Sequence, residues 1–233
     1  TKGRIQLDAV FFCLDFKPKF SFLFMWLILQ NHSAPRVTVL LAMFCFLFLL
    51  NLFSFQKLYA DRIIQSQQLV ENLYNDLVVT SMKDLSIDEQ KIELKNLFQK
   101  YVDIPIIARA VLGSPWRQLN QNERSSFINA FRKYLAKKYT AQFSEFLGAE
   151  MLIEKSRDSG GKAGIMVETR LLMPGSAPIK VGWQVSDASG IFKMIDIKIE
   201  GVSLLTTERG EIRNQYSKEG NSIKKLIDSL LNY

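Results

Sequence analysis

The sequence predicts an α+β fold in which a four-stranded, curved antiparallel sheet is covered on one face by helices. Apolar residues recur with the helical period of 3.6 residues before Gly148 and with the strand period of two after it. The turn-forming segments SGG, MPGSAP and ASG separate four strand-like stretches, and such short connections make consecutive strands antiparallel neighbours. These stretches have one apolar and one polar face, which indicates a sheet covered on one side.

Four helices are predicted before the sheet, and several have clear end signals. Ser86 and Glu89 form a capping box at the start of the second helix. Asp103 is a predicted N-cap with Pro105 in the first turn, and Gly113 is a natural stop for that third helix. The predicted helices span residues 63–82, 86–101, 103–112 and 120–147.

The fourth helix has an aromatic face and a basic face. Core packing and the lining of a ligand cavity are both consistent with the aromatic face, which comprises Phe127, Phe131, Tyr134, Leu135, Tyr139, Phe143 and Phe146. The basic face fits either a solvated surface or a contact with an anionic headgroup or partner, and it comprises Arg132, Lys133, Lys137 and Lys138.

The four strands are predicted at residues 150–157, 163–172, 178–187 and 191–200. Their apolar face carries Ile165, Val167, Thr169 and Leu171, then Ile179, Val181, Trp183 and Val185, then Ile195, Ile197 and Ile199. Solvent is expected on the opposite face, which carries Glu168, Arg170, Lys180, Gln184, Asp196, Lys198 and Glu200. Two more helices, at about 205–217 and 222–231, complete the predicted fold.

The first 60 residues differ from the rest of the chain. Residues 36–60 are typical of an export signal, because a basic residue precedes nineteen mostly apolar residues and a short polar stretch that ends in Ala60. Cleavage after Ala60 is predicted. Nineteen helical residues would also span about 28 Å, so a retained anchor helix is the alternative. Residues 1–35 are interpreted as an extended N-terminus.

Composition narrows the chemistry available to residues 61–233. The whole chain has a net charge of +7, but removal of the six basic and two acidic residues of 1–60 leaves about +3, which weakens a nucleic-acid interpretation. Both cysteines and the single histidine also lie within residues 1–60. Disulfides, thiolate nucleophiles, Cys/His metal sites and histidine-based triads are therefore not expected in residues 61–233.

Two kinds of catalytic candidate remain, and both have a structural interpretation. Ser203 follows a strand and a glycine, but its surroundings are not G-x-S-x-G and no histidine follows Ala60, so it is predicted to cap the next helix. Asp103, Asp196 and Glu200 could act as general acids or bases in a small cone-shaped α+β enzyme. Ordinary structural roles are expected for these carboxylates.

Two segments resemble the MlaC family of periplasmic phospholipid-binding carriers, also described as toluene-tolerance auxiliary proteins. In residues 98–143 the resemblance rests on Asp103, Ile107, Ala108, Leu112, Gly113, Trp116, Leu119, Asn120, Glu123, Arg124, Phe127, Phe131 and Tyr139. In residues 190–212 it rests on Gly190, Lys193, Asp196, Glu200, Gly201, Val202, Ser203 and Leu204. Phe192 departs from the pattern, because the family often has tryptophan there.

The resemblance implies a non-catalytic phospholipid-binding domain over residues 61–233. Its fold would be cone-like, related to nuclear transport factor 2 and cystatin, with an added helical portion that forms a lipid pocket. The helical part is expected at about 61–148, the sheet at about 149–200 and the C-terminal helices at about 204–231. A monomer would carry phospholipid as cargo, without a cofactor or metal, between the lipid-binding subunit of an inner-membrane ABC transporter and an outer-membrane lipoprotein–porin complex. This periplasmic shuttle would maintain outer-membrane lipid asymmetry.

Apolar residues of the sheet and helices are the candidate lipid ligands. Burial of an acyl CH₂ group is worth about 0.8 kcal/mol, so a carrier needs a large apolar surface to shield lipid tails. The predicted pocket residues are Val167, Leu171, Val181, Trp183, Val185, Ile195, Ile197 and Ile199 from the sheet, and Leu112, Leu135 and Tyr139 from the helices. Each could instead belong to the core. The other hypotheses are a cone-shaped isomerase or dehydratase with an apolar substrate, and a membrane-anchored adaptor.

Overall fold

A computed structural model describes residues 36–83, 85–144, 149–173 and 175–233, without the side chains of 36–43, 45–58, 81 and 141–144. The chain divides into two compact units, Thr1–Leu58 and Tyr59–Tyr233. The proposed N-terminal extension and most side chains of the proposed leader lie outside the described residues. Among the residues described, no helix is long and apolar enough to cross a membrane.

The predicted helices are present, and apart from the start of the first helix their ends differ from the prediction by only a few residues. Helix α1 (Arg36–Ser81) is continuous through Ala60, so it begins well before the predicted start at residue 63. The remaining helices are α2 (Ile87–Tyr101), α3 (Ile104–Leu112), α4 (Gln121–Ser144), α5 (Leu204–Lys218) and α6 (Ile223–Leu231). Short 3₁₀ turns occupy Ser114–Gln118 and Gly161–Ala163.

The helix starts follow from the capping residues that the sequence indicates. The capping box of Ser86 and Glu89 is present at α2. At α3, the Asp103 carboxylate accepts a hydrogen bond from the Ile106 N–H at 3.1 Å. At α4, Asn120 and Glu123 each accept a hydrogen bond from the other's backbone N–H, at 3.0 and 2.8 Å. These contacts satisfy N–H groups that the first helical turn leaves unpaired.

The sheet is an antiparallel meander in the order β1-β2-β3-β4-β5. Its strands are β1 (Glu150–Asp158), β2 (Ile165–Leu172), β3 (Ile179–Ser186), β4 (Lys193–Ile199) and β5 (Val202–Ser203). The prediction of four strands was one short, because positive φ angles at Glu200 (49°) and Gly201 (85°) turn the chain back so that two residues pair with β4. The α+β fold class itself is confirmed.

The apolar sheet face follows the predicted alternation over β2 and β3 but changes register in β4. Trp183 lies opposite Ile197 and Val181 opposite Ile199. The register then shifts between Gln184 and Val185, so that Met194 rather than Ile195 lies opposite Val185. Such a shift adds one residue to a strand and interrupts the alternation. Strict alternation therefore ends at this shift: Met194, which period two would put on the face opposite Ile197, is buried in the core, while Ile195 and Ile197 both line the pocket described below.

The opposite sheet face is only partly exposed, contrary to expectation. Met166 and Gln184 lie on it as paired neighbours, and both are buried. The Gly161–Ala163 turn folds over this end, since Gln184 donates to the Ala163 carbonyl and Ser186 donates to the Lys162 carbonyl at 2.8 Å. A 3₁₀ turn at the β1–β2 connection was not indicated by the Gly-rich sequence, which was interpreted as a simple hairpin loop.

Helices and sheet share one hydrophobic core. Phe127 and Phe131 of α4 are fully buried, with ring centroids 5.9 Å apart in a stacked arrangement. They belong to the same buried cluster as Val167 and Val185 of the sheet. Most described members of the aromatic face of α4 are thus core residues, while Phe143 and Phe146 lie outside the described side chains.

Candidate ligand pocket

An apolar pocket lies where four helices meet strand β4. The lining comes from the end of α2, from α3, from the middle of α4, from β4 and from the start of α5. It consists of Phe98, Val102, Ile104, Ile107, Leu135, Tyr139, Met194, Ile195, Asp196, Ile197, Leu204, Leu205 and Glu208. The pocket leaves about 70 Å³ for the centres of water-sized molecules. Because one water needs about 10–15 Å³ on this measure, the space would hold about five waters.

The predicted pocket residues fall into two groups. Leu135, Tyr139, Ile195 and Ile197 line the pocket. Ile199 is half-buried and does not belong to the lining. The others are buried in the core away from the pocket lining: Leu112, Val167, Leu171, Val181, Trp183 and Val185.

Several lining residues were not predicted as pocket residues from the sequence. They are Phe98, Val102, Ile104, Ile107, Met194, Leu204, Leu205 and Glu208. Val102 forms a parallel bridge with Met194, and the Asp103 N–H donates to the Met194 carbonyl at 2.9 Å. This contact brings the α2–α3 junction onto β4, and no local pattern in the sequence indicates it. The sequence indicates the apolar faces of α2 and α3, but it does not indicate that they pack against β4.

A partly buried polar cluster adjoins the pocket, formed by Tyr134, Lys138, Tyr139, Glu208 and Glu211. The Lys138 ammonium lies 2.7 Å from Glu208 Oε1 and 2.5 Å from Glu211 Oε2. Tyr139 donates its hydroxyl to Glu208 Oε1 at 2.5 Å, and Tyr134 donates to Glu211 at 2.9 Å. Lys138 thus differs from the rest of the predicted basic face, because it joins α4 to α5 by ion pairs.

The cluster changes the proton affinities of its members. Burial raises the pKa of the Tyr134 hydroxyl, and the nearby charge of Glu208 adds to this effect. Burial also raises the pKa of the Tyr139 hydroxyl, together with its hydrogen bond to Glu208. Burial lowers the pKa of Lys138, but its hydrogen bonds to Glu208 and Glu211 outweigh this and raise it overall. Tyr134, Tyr139 and Lys138 therefore keep their protons at neutral pH.

In the structure, each catalytic candidate from the sequence accepts a hydrogen bond from a backbone N–H, and Asp196 also accepts one from the capping residue Ser203. Asp196 accepts from the Ser203 hydroxyl at 2.7 Å and from the Leu205 N–H at 2.9 Å. Ser203 accepts in turn from the Thr206 N–H at 3.1 Å, as an N-cap of α5. Glu200 accepts from the Lys180 N–H at 2.6 Å, and Asp103 caps α3. These contacts give each group a structural role.

A partly open pocket that is lined almost entirely by apolar surface is suited to binding an apolar ligand. The chain belongs to the MlaC family, because the family's sequence model, described as "MlaC protein", matches residues 67–232. A curated relative is the intermembrane phospholipid transport system binding protein MlaC of Haemophilus influenzae. It is 24% identical over 144 residues, which cover 60% of this chain and 67% of that protein.

A solved structure has the same fold. It is the phospholipid-binding protein of Ralstonia solanacearum, determined in complex with a phospholipid. The TM-score is 0.62 at 17% sequence identity, and the match covers 71% of this chain and 94% of the other. This similarity supports the mixed α+β fold, with helices and an open antiparallel sheet, that the family resemblance implies.

Proposed function

We propose that the unit Tyr59–Tyr233 is a phospholipid carrier that takes acyl chains into the pocket between α2–α5 and β4. The observation that carries the proposal is the lining of that pocket, which consists mainly of aliphatic and aromatic side chains from five elements. Membership of the MlaC family and a relative named as an intermembrane phospholipid transport binding protein support the same function.

Acyl chains provide the driving force for occupying such a pocket. Two tails with about thirty CH₂ groups represent over about 20 kcal/mol of transfer free energy, at about 0.8 kcal/mol for each group. A protein that removes lipid from a bilayer must shield most of that surface. Since the pocket has space for only about five waters, loading requires the lining helices to move away from β4.

The carrier would work in the periplasm without catalysing a reaction. Export would use residues 36–60, with cleavage after Ala60 as the proposed release step. The proposed donors and acceptors of lipid are an inner-membrane ABC transporter complex and an outer-membrane lipoprotein–porin complex, and the shuttle would maintain the lipid asymmetry of the outer membrane. N-terminal sequencing of the exported protein tests the leader: Asp61 as first residue supports release, and an intact leader supports a retained anchor.

Lipid binding is tested by native mass spectrometry of the unit 61–233 after incubation with phosphatidylethanolamine and phosphatidylglycerol vesicles. One phospholipid mass per protein is expected. Leu205→Asp places a charge in the pocket lining and should abolish this adduct. Thr206→Asp is the matched control, because it puts the same charge on the next, exposed residue of α5. A folded wild-type protein that never acquires lipid would contradict the proposal.

A further inference from the structure

Four arginines gather around the turn that joins α3 to α4, and we call them the arginine surface: Arg117, Arg124, Arg209 and Arg213. Arg209 and Arg213 lie one turn apart on α5. The Arg209 Nε–H donates to the Ala110 carbonyl near the end of α3, at 3.1 Å. The Arg213 guanidinium lies against Gly113, because a Cβ added there would be 2.2 Å from Arg213 Nη2.

Arg117 and Arg124 complete this surface from the turn itself and from the start of α4. The Trp116 N–H donates to the Gly113 carbonyl at 3.1 Å, which closes the turn onto the end of α3. The Arg124 guanidinium lies over the Trp116 ring, 5.5 Å from its centroid. Arg117 follows Trp116 directly and is exposed. The arginine surface therefore combines four positive charges with one half-buried indole ring.

No ion pair found within the described part of the chain neutralises these four charges, since all of those pairs use other cations. The carboxylates of α5, Glu208 and Glu211, contact Lys138 of α4. Helix α5 thus directs these two acidic residues toward α4 and its two arginines toward α3. The carboxylate of Glu123, beside the surface in sequence, accepts the Asn120 N–H.

Two of the arginines have a structural role, and two do not. Arg209 binds a carbonyl at the end of α3, and Arg124 packs on an indole ring. The guanidinium groups of Arg117 and Arg213 form neither a hydrogen bond nor an ion pair with the residues that the structure describes. Like charges held close together repel one another, and an anionic partner would offset this repulsion. Phosphate groups fit well, because the guanidinium fork donates two parallel hydrogen bonds to them.

The position of the arginine surface favours a phospholipid bilayer as that partner. Ile104 and Ile107 of α3 line the pocket, as do Leu204 and Leu205 of α5. Arg209 lies one helical turn after Leu205, so the arginine surface adjoins the helices that line the pocket. An indole ring among basic side chains is also typical of protein surfaces that contact lipid headgroups.

We propose that the arginine surface docks the protein on bilayers that contain anionic phospholipid. The choice of partner rests on the proposed carrier function, because a carrier must reach a lipid surface to load or deliver its cargo. Phosphatidylglycerol gives a bilayer a negative surface potential, whereas a bilayer of phosphatidylcholine alone has no net charge. Docking by this surface therefore depends on anionic lipid and weakens at high salt.

Vesicle flotation tests this docking. The unit 61–233, shown to be folded by cooperative urea unfolding, is mixed with vesicles of phosphatidylglycerol and phosphatidylcholine or of phosphatidylcholine alone. Protein should float with the anionic vesicles at low salt, and should stay behind with neutral vesicles or at high salt. Equal flotation with both kinds of vesicle would overturn the inference. Failure to float with anionic vesicles would overturn it as well, and would favour an acidic protein as the partner of the arginine surface.

A pair of double variants locates the contact. Arg117→Gln with Arg213→Gln removes the two exposed charges and should weaken binding to anionic vesicles about thirtyfold, at about fivefold for each arginine. Lys224→Gln with Lys225→Gln removes two exposed charges from α6 and should bind like wild type. Equal weakening of both double variants would show that net charge alone matters, and would overturn the assignment. If the arginine variant does not fold, the comparison of vesicles with wild-type protein decides alone.

Docking and lipid uptake fail separately. Protein that floats with anionic vesicles but never acquires a phospholipid in native mass spectrometry contradicts the carrier function and leaves the docking surface in place. Protein that acquires a phospholipid but never floats with anionic vesicles contradicts the docking surface alone.

Discussion

At the scale of single residues, Ser203 shows how a polar group beside the pocket is used. Its hydroxyl donates to Asp196 and accepts from the Thr206 N–H, so both hydrogen-bonding directions serve the start of α5. Asp196 takes the Leu205 N–H as well. Strand β4 is therefore joined to α5 directly by the Leu205–Asp196 hydrogen bond and indirectly through Ser203, beside the lining residues Leu204 and Leu205.

Ser203→Ala should lower the free energy of unfolding by about 1–2 kcal/mol, because it removes an N-cap and one donor to Asp196. Lipid retention should persist, since the hydroxyl has no reactive role. Urea denaturation and native mass spectrometry measure the two effects. Ser189→Ala, in an exposed turn, is the control and should change neither. Loss of retention in a fully folded Ser203→Ala protein would contradict the structural role.

Glu211 should make stability depend on pH in the acid range. Burial raises the pKa of its carboxyl, but hydrogen bonds from Lys138 and Tyr134 outweigh burial and hold that pKa below its ordinary value of 4.5. A carboxyl with a lowered folded-state pKa stabilises the protein above its unfolded-state pKa, and this stabilisation is lost as pH falls through the folded value. Between about pH 5 and 3, wild-type stability should fall more steeply than that of Glu211→Gln. Urea denaturation midpoints of both proteins, measured across this pH range, test the prediction. Parallel curves of midpoint against pH would contradict it.

Sequence patterns predicted the hydrogen-bonding role of a residue only where its partner lies a few positions away in the chain. The cap formed by Ser203 was predicted, because the hydroxyl and the N–H it accepts are three residues apart. The role of Glu208 was not, because its partners Lys138 and Tyr139 lie about 70 residues away on another helix. Helical periodicity put Lys138 on a basic face, and only the packing of α4 against α5 shows that it is paired.

At the scale of elements, strand β4 contributes to the pocket lining and the neighbouring strand β3 does not. Ile197 is half-buried and lines the pocket, whereas Val181 on the neighbouring strand is 3% exposed and belongs to the core. Both residues lie on the apolar sheet face, so period-two alternation could not distinguish them. The distinction depends on which helices cover each part of the face, and that is a matter of tertiary packing.

A matched pair of substitutions tests this division. Val181→Asp should unfold the protein, because it buries an unpaired charge at a cost of several kcal/mol. Ile197→Asp should abolish lipid retention while a cooperative unfolding transition remains, since its charge faces a pocket that water can enter. Circular dichroism and native mass spectrometry distinguish the two outcomes. If both variants unfold, Ile197 belongs to the core and not to the pocket lining.

The β1–β2 connection offers a test at two glycines that both have positive φ angles. Gly160 (φ 84°, ψ 142°) and Gly164 (φ 68°, ψ −141°) both adopt conformations that only glycine adopts readily. A Cβ at Gly160 would meet nothing within 4 Å, whereas one at Gly164 would lie 2.1 Å from the Val185 carbonyl oxygen. Gly160→Ala should cost about 1–3 kcal/mol, and Gly164→Ala at least about 2 kcal/mol more. Equal denaturation midpoints would contradict the close packing of this turn on β3.

At the scale of the whole molecule, the order of elements followed from the sequence, and the pocket did not. Changes in hydrophobic period, caps such as Ser86 and turn glycines are local signals, and they predicted the helices and four of the five strands. The fifth strand is two residues long and depends on a reversal at Glu200 and Gly201. The pocket depends on contacts between α2, α3 and β4 that are about 90 residues apart. Residues chosen only for an apolar sheet face were therefore mostly core residues.

The pocket in this structure is too small to hold a whole phospholipid. Space for about five waters is far less than two acyl chains occupy, so we expect the proposed carrier to open further when it loads lipid. The ion pairs of Lys138 join α4 to α5 beside the lining residues Leu135 and Tyr139, so an opening between these two helices would have to break them.

The most direct test of the carrier function is lipid transfer between two vesicle populations that cannot touch. Donor vesicles with labelled phospholipid and unlabelled acceptor vesicles are separated by a filter that passes the protein but retains vesicles. The account predicts that label reaches the acceptors in proportion to the concentration of wild-type protein, and that Leu205→Asp removes this transfer while Thr206→Asp retains it. Folded wild-type protein that leaves all label with the donors would contradict the account.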